Sequence, residues 1–155
     1  MKRAKLLMLC AGIALAAPAE AKDYTGTGVS TYVPVSAATR ELPNGNHIRR
    51  VHSKSIIVAD DDTLPFHLAS QDCLVTYVLT PEGRIITGKG YCDAVDQDGD
   101  VWWLWWQTEE EAGEWGILEG TGKYAGMVGS GTTSPIASHD DGRFAVRWKG
   151  SWVMK

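Results

Sequence analysis

The chain has 155 residues, with 15 Lys and Arg against 19 Asp and Glu for a formal charge of −4. An acidic chain without clustered Lys and Arg offers no electrostatic footprint for nucleic acid. Beyond its first residues it has no apolar stretch approaching the roughly 20 residues of a membrane-spanning helix, and its length suits one domain with a real core.

The chain begins with a short basic head, Met1-Lys2-Arg3-Ala4-Lys5, followed by an apolar run from Leu6 to Ala17 broken only by Gly12. Ala19-Glu20-Ala21 then supplies small residues for cleavage. These are the three parts of a secretory signal peptide, so residues 1–21 are expected to be removed on export to the periplasm or beyond. Cys10 follows Leu9 rather than Gly or Ala and sits inside the apolar run, which makes it part of the discarded segment. Processing removes Lys2, Arg3, Lys5 and Glu20 and takes the charge from −4 to −6. Residues 22–155 are read as one domain with no further association with a membrane.

Trp, Tyr, Val, Ile and Thr dominate the ordered-looking segments of this domain, and none keeps a helical apolar period beyond two turns. The strands predicted in chain order are Asp23–Tyr32, His47–Val58, Phe66–Thr80, Arg84–Ala94, Asp100–Thr108, Glu114–Gly120, Met127–Ile136 and Arg143–Met154. Turn chemistry separates them: Pro43-Asn44-Gly45-Asn46, Pro81-Glu82-Gly83, Asp96-Gln97-Asp98-Gly99, Glu111-Ala112-Gly113 and Asp140-Asp141-Gly142. Connections from the third strand onward are short, so sequential strands should be neighbours. The fold expected is all-β, an eight-stranded antiparallel meander closing into a β-barrel.

Particular strands carry particular signals. In the second, Arg49, Arg50, His52 and Lys54 fall on both faces and read as a solvated edge rather than a binding patch. Across the third and fourth, a two-residue Glu82-Gly83 loop would make opposed positions sum to 165, pairing Leu79 with Ile86, Tyr77 with Gly88 and Val75 with Gly90. Cys73 then faces Cys92 across neighbouring strands, and in an oxidising compartment the pair should be a disulfide. The fifth strand, Val101-Trp102-Trp103-Leu104-Trp105-Trp106, is apolar on both faces. One face can look inward; the other needs a cover, and a second copy of the chain is the expectation. The last strand alternates cleanly, with Phe144, Val146, Trp148, Gly150, Trp152 and Met154 on one side.

Leu118-Glu119-Gly120-Thr121-Gly122-Lys123-Tyr124-Ala125-Gly126, followed by Gly129-Ser130-Gly131-Thr132, resembles the Gly-Thr-Gly-Lys-aromatic signature of the allene oxide cyclase and dirigent barrels. Together with Gly90-Tyr91-Cys92-Asp93 and Asp96-Gln97-Asp98-Gly99-Asp100, the chain looks like a bacterial secreted member of that superfamily. The resemblance implies an eight-stranded antiparallel barrel with an apolar mouth or lumen, often oligomeric. It transfers no catalytic residue.

Chemical candidates are few. Asp96, Asp98 and Asp100 match the first ligands of a calcium loop, but Gly99 is misplaced and Gln107 stands where a bidentate Glu belongs, so an acidic hairpin turn fits better. His47, His52, His67 and His139 lack metal spacing, and neither a metal nor a cofactor is expected. No Gly-x-Ser-x-Gly elbow is present. Glu119 would be a general acid or base if it faced inward with Trp115 and Ile117, and merely exposed if Gly120 did. A pocket is expected from Tyr77, Gly88, Gly90 and Trp148, where the two glycines leave room, with Trp103 and Trp105 as further candidate lining. Three functions are compatible with these features. The leading one is an exported barrel binding a small apolar or aromatic molecule. The second is a cyclase, isomerase or dirigent-like guide holding a reactive lipid or phenolic, and the third an interaction module using an exposed Trp surface on protein or sugar.

Overall fold

The computed structural model describes residues 21–110 and 112–155. The proposed signal peptide, apart from Ala21, lies outside the described residues. Eight strands run in order: β1 Lys22–Glu41, β2 His47–Ala59, β3 Ser70–Leu79, β4 Ile85–Val95, β5 Val101–Glu109, β6 Ala112–Gly120, β7 Val128–Ser138 and β8 Phe144–Met154. Each pairs antiparallel with the next, and β8 returns to β1, so the sheet closes as an eight-stranded meander barrel. Closure gives every strand two partners. β2 is therefore no edge strand, and the solvated-edge reading of its basic residues does not hold.

Most boundaries match those read from the sequence, and the departures have local causes. β1 runs nine residues further, to Glu41, because a bulge between Pro34 and Ser36 absorbs the proline's missing donor. β3 begins at Ser70 rather than Phe66, because Leu68 turns the backbone to a φ of 60° and tucks Phe66 and Ala69 inward. The β3–β4 hairpin has a three-residue loop with Gly83 at φ 85°, not the two-residue loop expected. The ladder shifts there, so Leu79 faces Ile85 instead of Ile86. Beyond that bulge the expected register holds: Tyr77 faces Gly88, Val75 faces Gly90, and Cys73 is disulfide-bonded to Cys92.

One end of the barrel is plugged by the β2–β3 and β6–β7 loops. Phe66 stacks between Trp102 (4.7 Å, 18°) and Trp152 (4.5 Å, 24°), and Tyr124 and Met127 are buried beside them. Rings dominate this plug because each removes more apolar surface from water than an aliphatic side chain. The Tyr124 hydroxyl lies 2.8 Å from both Pro65 O and Asp96 Oδ2, tying both loops to the β4–β5 turn. Asp96 Oδ1 accepts the amides of Asp98 and Asp100 (2.9 and 3.0 Å), and its Oδ2 accepts Lys123 Nζ (2.7 Å). Lys123 also reaches Asp98 (2.6 Å). A lysine ammonium thus pairs with two of the three carboxylates that suggested a calcium loop, and Gly99 completes the turn at φ 88°.

The same knot accounts for the glycine-rich signature. Thr121 Oγ1 accepts the Val101 amide (3.0 Å), the Lys123 amide donates to Asp100 Oδ2 (3.2 Å), and Gly122 sits at φ 51° with the Asp100 carboxylate where a Cβ would stand. Only glycine tolerates both conditions.

The ladder is uneven around the barrel. β6 and β7 pair only from Gly113–Gly116 against Ser130–Thr133, whereas β1 and β2 run together to Glu41 and His47.

Candidate functional site

The hairpin end is built differently from the plug. The turns joining β1 to β2, β3 to β4, β5 to β6 and β7 to β8 are too short to fold across it. Inward positions follow from strand alternation. β1 points Ser30 and Tyr32 inside, β2 Arg49, Val51, Ser53, Ser55 and Ile57, and β3 Gln71, Cys73, Val75 and Tyr77. β5 points Trp102, Leu104, Trp106 and Thr108 inside, which resolves the strand whose two faces were equally apolar.

Trp103 and Trp105 therefore lie on the outer surface and do not line the interior. Trp105 rests across Gly116, its register partner, where an added Cβ would stand 2.5 Å from the indole nitrogen. It continues an apolar row across the outer wall with Leu74 and Tyr91, both 66% exposed.

Glu119 is exposed, opposite Trp103. Simple alternation from Trp115 and Ile117 would bring it inside, but a bulge opposite Trp103/Leu104 inserts Leu118 as an extra residue, so Gly120 faces inward instead. The general acid or base role has no support in this placement.

The expected pocket residues Tyr77, Gly88, Gly90 and Trp148 do lie on the inner wall, but the glycines leave no void. The Tyr77 ring occupies the space over Gly88, where a Cβ would meet Cδ1 at 2.7 Å. A Cβ on Gly90 would meet Val75 Cα at 2.8 Å, so β3 itself fills that gap. Trp148 is buried with its ring against Gly28.

An interior cavity of about 60 Å³ is lined by Trp106, Trp115 and the expected Trp148 on one side and by Ser30, Tyr32 and Gln71 on the other, away from Tyr77, Gly88 and Gly90. At about 10–15 Å³ per water it holds roughly four, far below the roughly 300 Å³ where drug-sized pockets begin.

The polar side of this cavity escaped the sequence reading. Tyr32, Ser55 and Gln71 are register partners across three strands. The Ser55 hydroxyl donates to Gln71 Oε1 (2.8 Å), and the Tyr32 hydroxyl points to the same oxygen (3.4 Å). Burial pushes the Tyr32 phenol above its ordinary pKa, partly offset by Ser30 and Ser55. The available signal was the inward alternation of Ser53 and Ser55 on a strand whose apolar parity was ambiguous.

Nearer the mouth, Tyr77 packs edge-on to Trp106 (5.9 Å, 67°) and Tyr32 stacks on Phe144 (4.6 Å, 5°). Burial pushes the Tyr77 phenol up to about 12, with the neighbouring Tyr32 adding to the rise and Arg49 opposing it. Arg49 stands directly opposite Tyr77. Trp106 Nε1 donates to Thr133 (3.2 Å), whereas Trp115 Nε1, Trp148 Nε1 and Arg49 Nε are buried without a hydrogen-bond partner among the described residues. Among the described residues no carboxylate, histidine or lysine lines the cavity, so it offers neutral phenols, amides and hydroxyls and no base for proton abstraction near neutral pH.

No family model and no curated protein matches the chain. Among solved structures it is similar to the pterocarpan synthase dirigent protein GePTS1, with a TM-score of 0.55 at 12% identity over 95% of this chain and 97% of that one. It is also similar to the pterocarpan synthase dirigent protein PsPTS1, with a TM-score of 0.54 at 12% identity over 88% of this chain and 96% of that one. The barrel architecture is therefore that of dirigent proteins.

Proposed function

We propose that this protein is an exported binding barrel for a small apolar or aromatic molecule, taken up at the hairpin end. The observation that carries the reading is the pairing of opposite chemistries on one inner wall. The Tyr32–Ser55–Gln71 row stands beside Trp106, Trp115 and Trp148, so one wall offers hydrogen-bonding groups and ring faces together. The 60 Å³ cavity is too small for a phenolic, so the ligand body lies in the mouth against Tyr77, Trp106 and Phe144 and displaces water from the cavity below. Trp fluorescence titrated with phenolics, fatty acids and terpenoids tests this. Gly88→Leu drives a side chain into Tyr77 and should abolish the response. If no compound perturbs the wild type more than that variant, the interior is a core and nothing else.

The likeness to dirigent barrels favours a second reading, a guide that holds a reactive phenolic in one conformation. A guide needs shape rather than a base, which suits an interior without carboxylates. It would change the product or stereoisomer formed from such a substrate; an unaltered product mixture leaves binding alone. Removal of residues 1–21 and export accord with the Cys73–Cys92 disulfide, which belongs to an oxidising compartment. The outer Leu74–Tyr91–Trp105 row we assign to contact with a second copy of the chain.

A further inference from the structure

Among the described residues Arg49 is the one Arg or Lys whose register position faces the inner wall of the mouth; Glu41 and His47, one inward pair nearer the rim, share its face but form no ion pair with it. It projects inward from β2 opposite Tyr77, and no carboxylate lies within 4 Å of it among the described residues. Lys123 is answered by Asp96 and Asp98, Arg143 by Asp141 and Arg147 by Asp60, and the other described Lys and Arg residues are exposed to solvent, whereas Arg49 is half-buried. Its Nε is buried without a partner, and the guanidinium reaches toward the β7–β8 turn, where a Cβ on Gly142 would stand 3.6 Å from an Nη. A guanidinium stays charged at any physiological pH, and a buried donor left unmade is costly unless something outside the chain completes it.

The surroundings define that partner. Tyr32 and Tyr77 flank the site as neutral phenols, able to donate to an oxygen but unable to neutralise a cation. The wall below is aromatic. A single fork-shaped cation matches a single planar anion, and a carboxylate accepts two parallel bonds from it. A doubly charged phosphate would bring a second negative charge that no other inward cation meets.

We propose that the ligand is a monocarboxylic acid, its carboxylate held by Arg49 and its apolar or aromatic body lying against Tyr77 and Trp106. This rests on the binding-barrel reading above and narrows it to a ligand class. Arg49 sets the preference for an acid over a neutral molecule of the same shape.

The test compares each acid with its own primary amide, which preserves shape and removes charge. Benzoate, cinnamate and decanoate, beside benzamide, cinnamamide and decanamide, are titrated into the mature protein at pH 7 with Trp fluorescence and calorimetry as readouts. At least one acid should bind tenfold or more tighter than its amide. Arg49→Gln should erase that preference, weakening the acid at least tenfold more than the amide, and Arg49→Lys should restore part of it. Acid and amide binding alike in the wild type would overturn the role of Arg49 and leave the binding barrel standing. If neither acids nor amides bind while a neutral terpenoid does, the acid ligand class falls. If nothing binds, both readings fall together.

Discussion

Replacing Asp96 with alanine removes the acceptor at the centre of the plugged end. The Asp96 side chain is 4% exposed, and its two oxygens take four donors: the Asp98 and Asp100 amides, Lys123 Nζ and the Tyr124 hydroxyl. The loss is smaller than four bonds suggest. Tyr124 keeps Pro65 O, and Lys123, at 36% exposure, keeps Asp98. What disappears without replacement is the capping of the two turn amides; the β6–β7 loop stays tied to the turn through Lys123 on Asp98 and the Lys123 amide on Asp100. Bonds to a charged acceptor contribute about 1.5–3 kcal/mol each, so two effective losses give about 3–6 kcal/mol. At about 3–5 °C per kcal/mol for a chain of this size, the midpoint should fall by roughly 10–30 °C. Burial raises the Asp96 pKa, but the bonds from Lys123, Tyr124 and the turn amides outweigh it and hold the carboxyl below its ordinary value. The contribution is therefore complete above the unfolded pKa of about 4 and is lost as pH falls through the folded value. Urea unfolding at pH 7 and at pH 3 measures both effects. Asp96→Ala within 1 kcal/mol of wild type at pH 7, or a difference that does not shrink at pH 3, would refute the reasoning.

Peptide mass mapping should recover Cys73 linked to Cys92, and replacing both with alanine should cost about 3 kcal/mol, because the bridge closes a loop of 19 residues. The mature protein should sediment as an oligomer at micromolar concentration, and Leu74→Asp with Tyr91→Asp should yield a soluble monomer; a monomeric wild type contradicts the assigned contact. Tyr77 should stay protonated until about pH 12 in an ultraviolet titration. Its raised pKa means stability that is complete below about 10 and declines as pH rises from there toward 12, so a Tyr77→Phe variant should show a shallower alkaline decline than the wild type. Glu119→Gln should leave both stability and ligand affinity unchanged, as its carboxylate stands in solvent.

The barrel was legible because alternation and turn chemistry are local. Residues 146–152 alternate cleanly, and the turns at Gly45, Gly83, Gly99 and Gly142 carry positive φ where their sequences call for it. The candidate site was legible only in part, and the failures share a cause. β5 has indoles on both faces, so which ones look inward depends on the partners around the ring. A bulge leaves no mark in composition, yet the one at Leu118 decides where Glu119 points. In β2 both parities mix apolar and polar residues. Arg49 was indistinguishable there from Arg50 until closure gave the strand an inside. Gly88 was read as room, but a missing Cβ becomes a void only if no neighbour reaches it, and Tyr77 does.

The brief pairing of β6 with β7 bears on how the ring comes apart. A closed hoop yields at its thinnest join, and here that join is stitched by side chains as much as by backbone. The Trp115 ring lies across Gly131 and Gly150, bridging from β6 over β7 to β8, and Trp106 fastens to Thr133. Amides of Ser130–Thr133 should therefore exchange with solvent before those of β1 and β2, and trimming Trp115 should hasten them further. Should the interior ever admit a body larger than a few waters, this is the hinge line along which the wall would part.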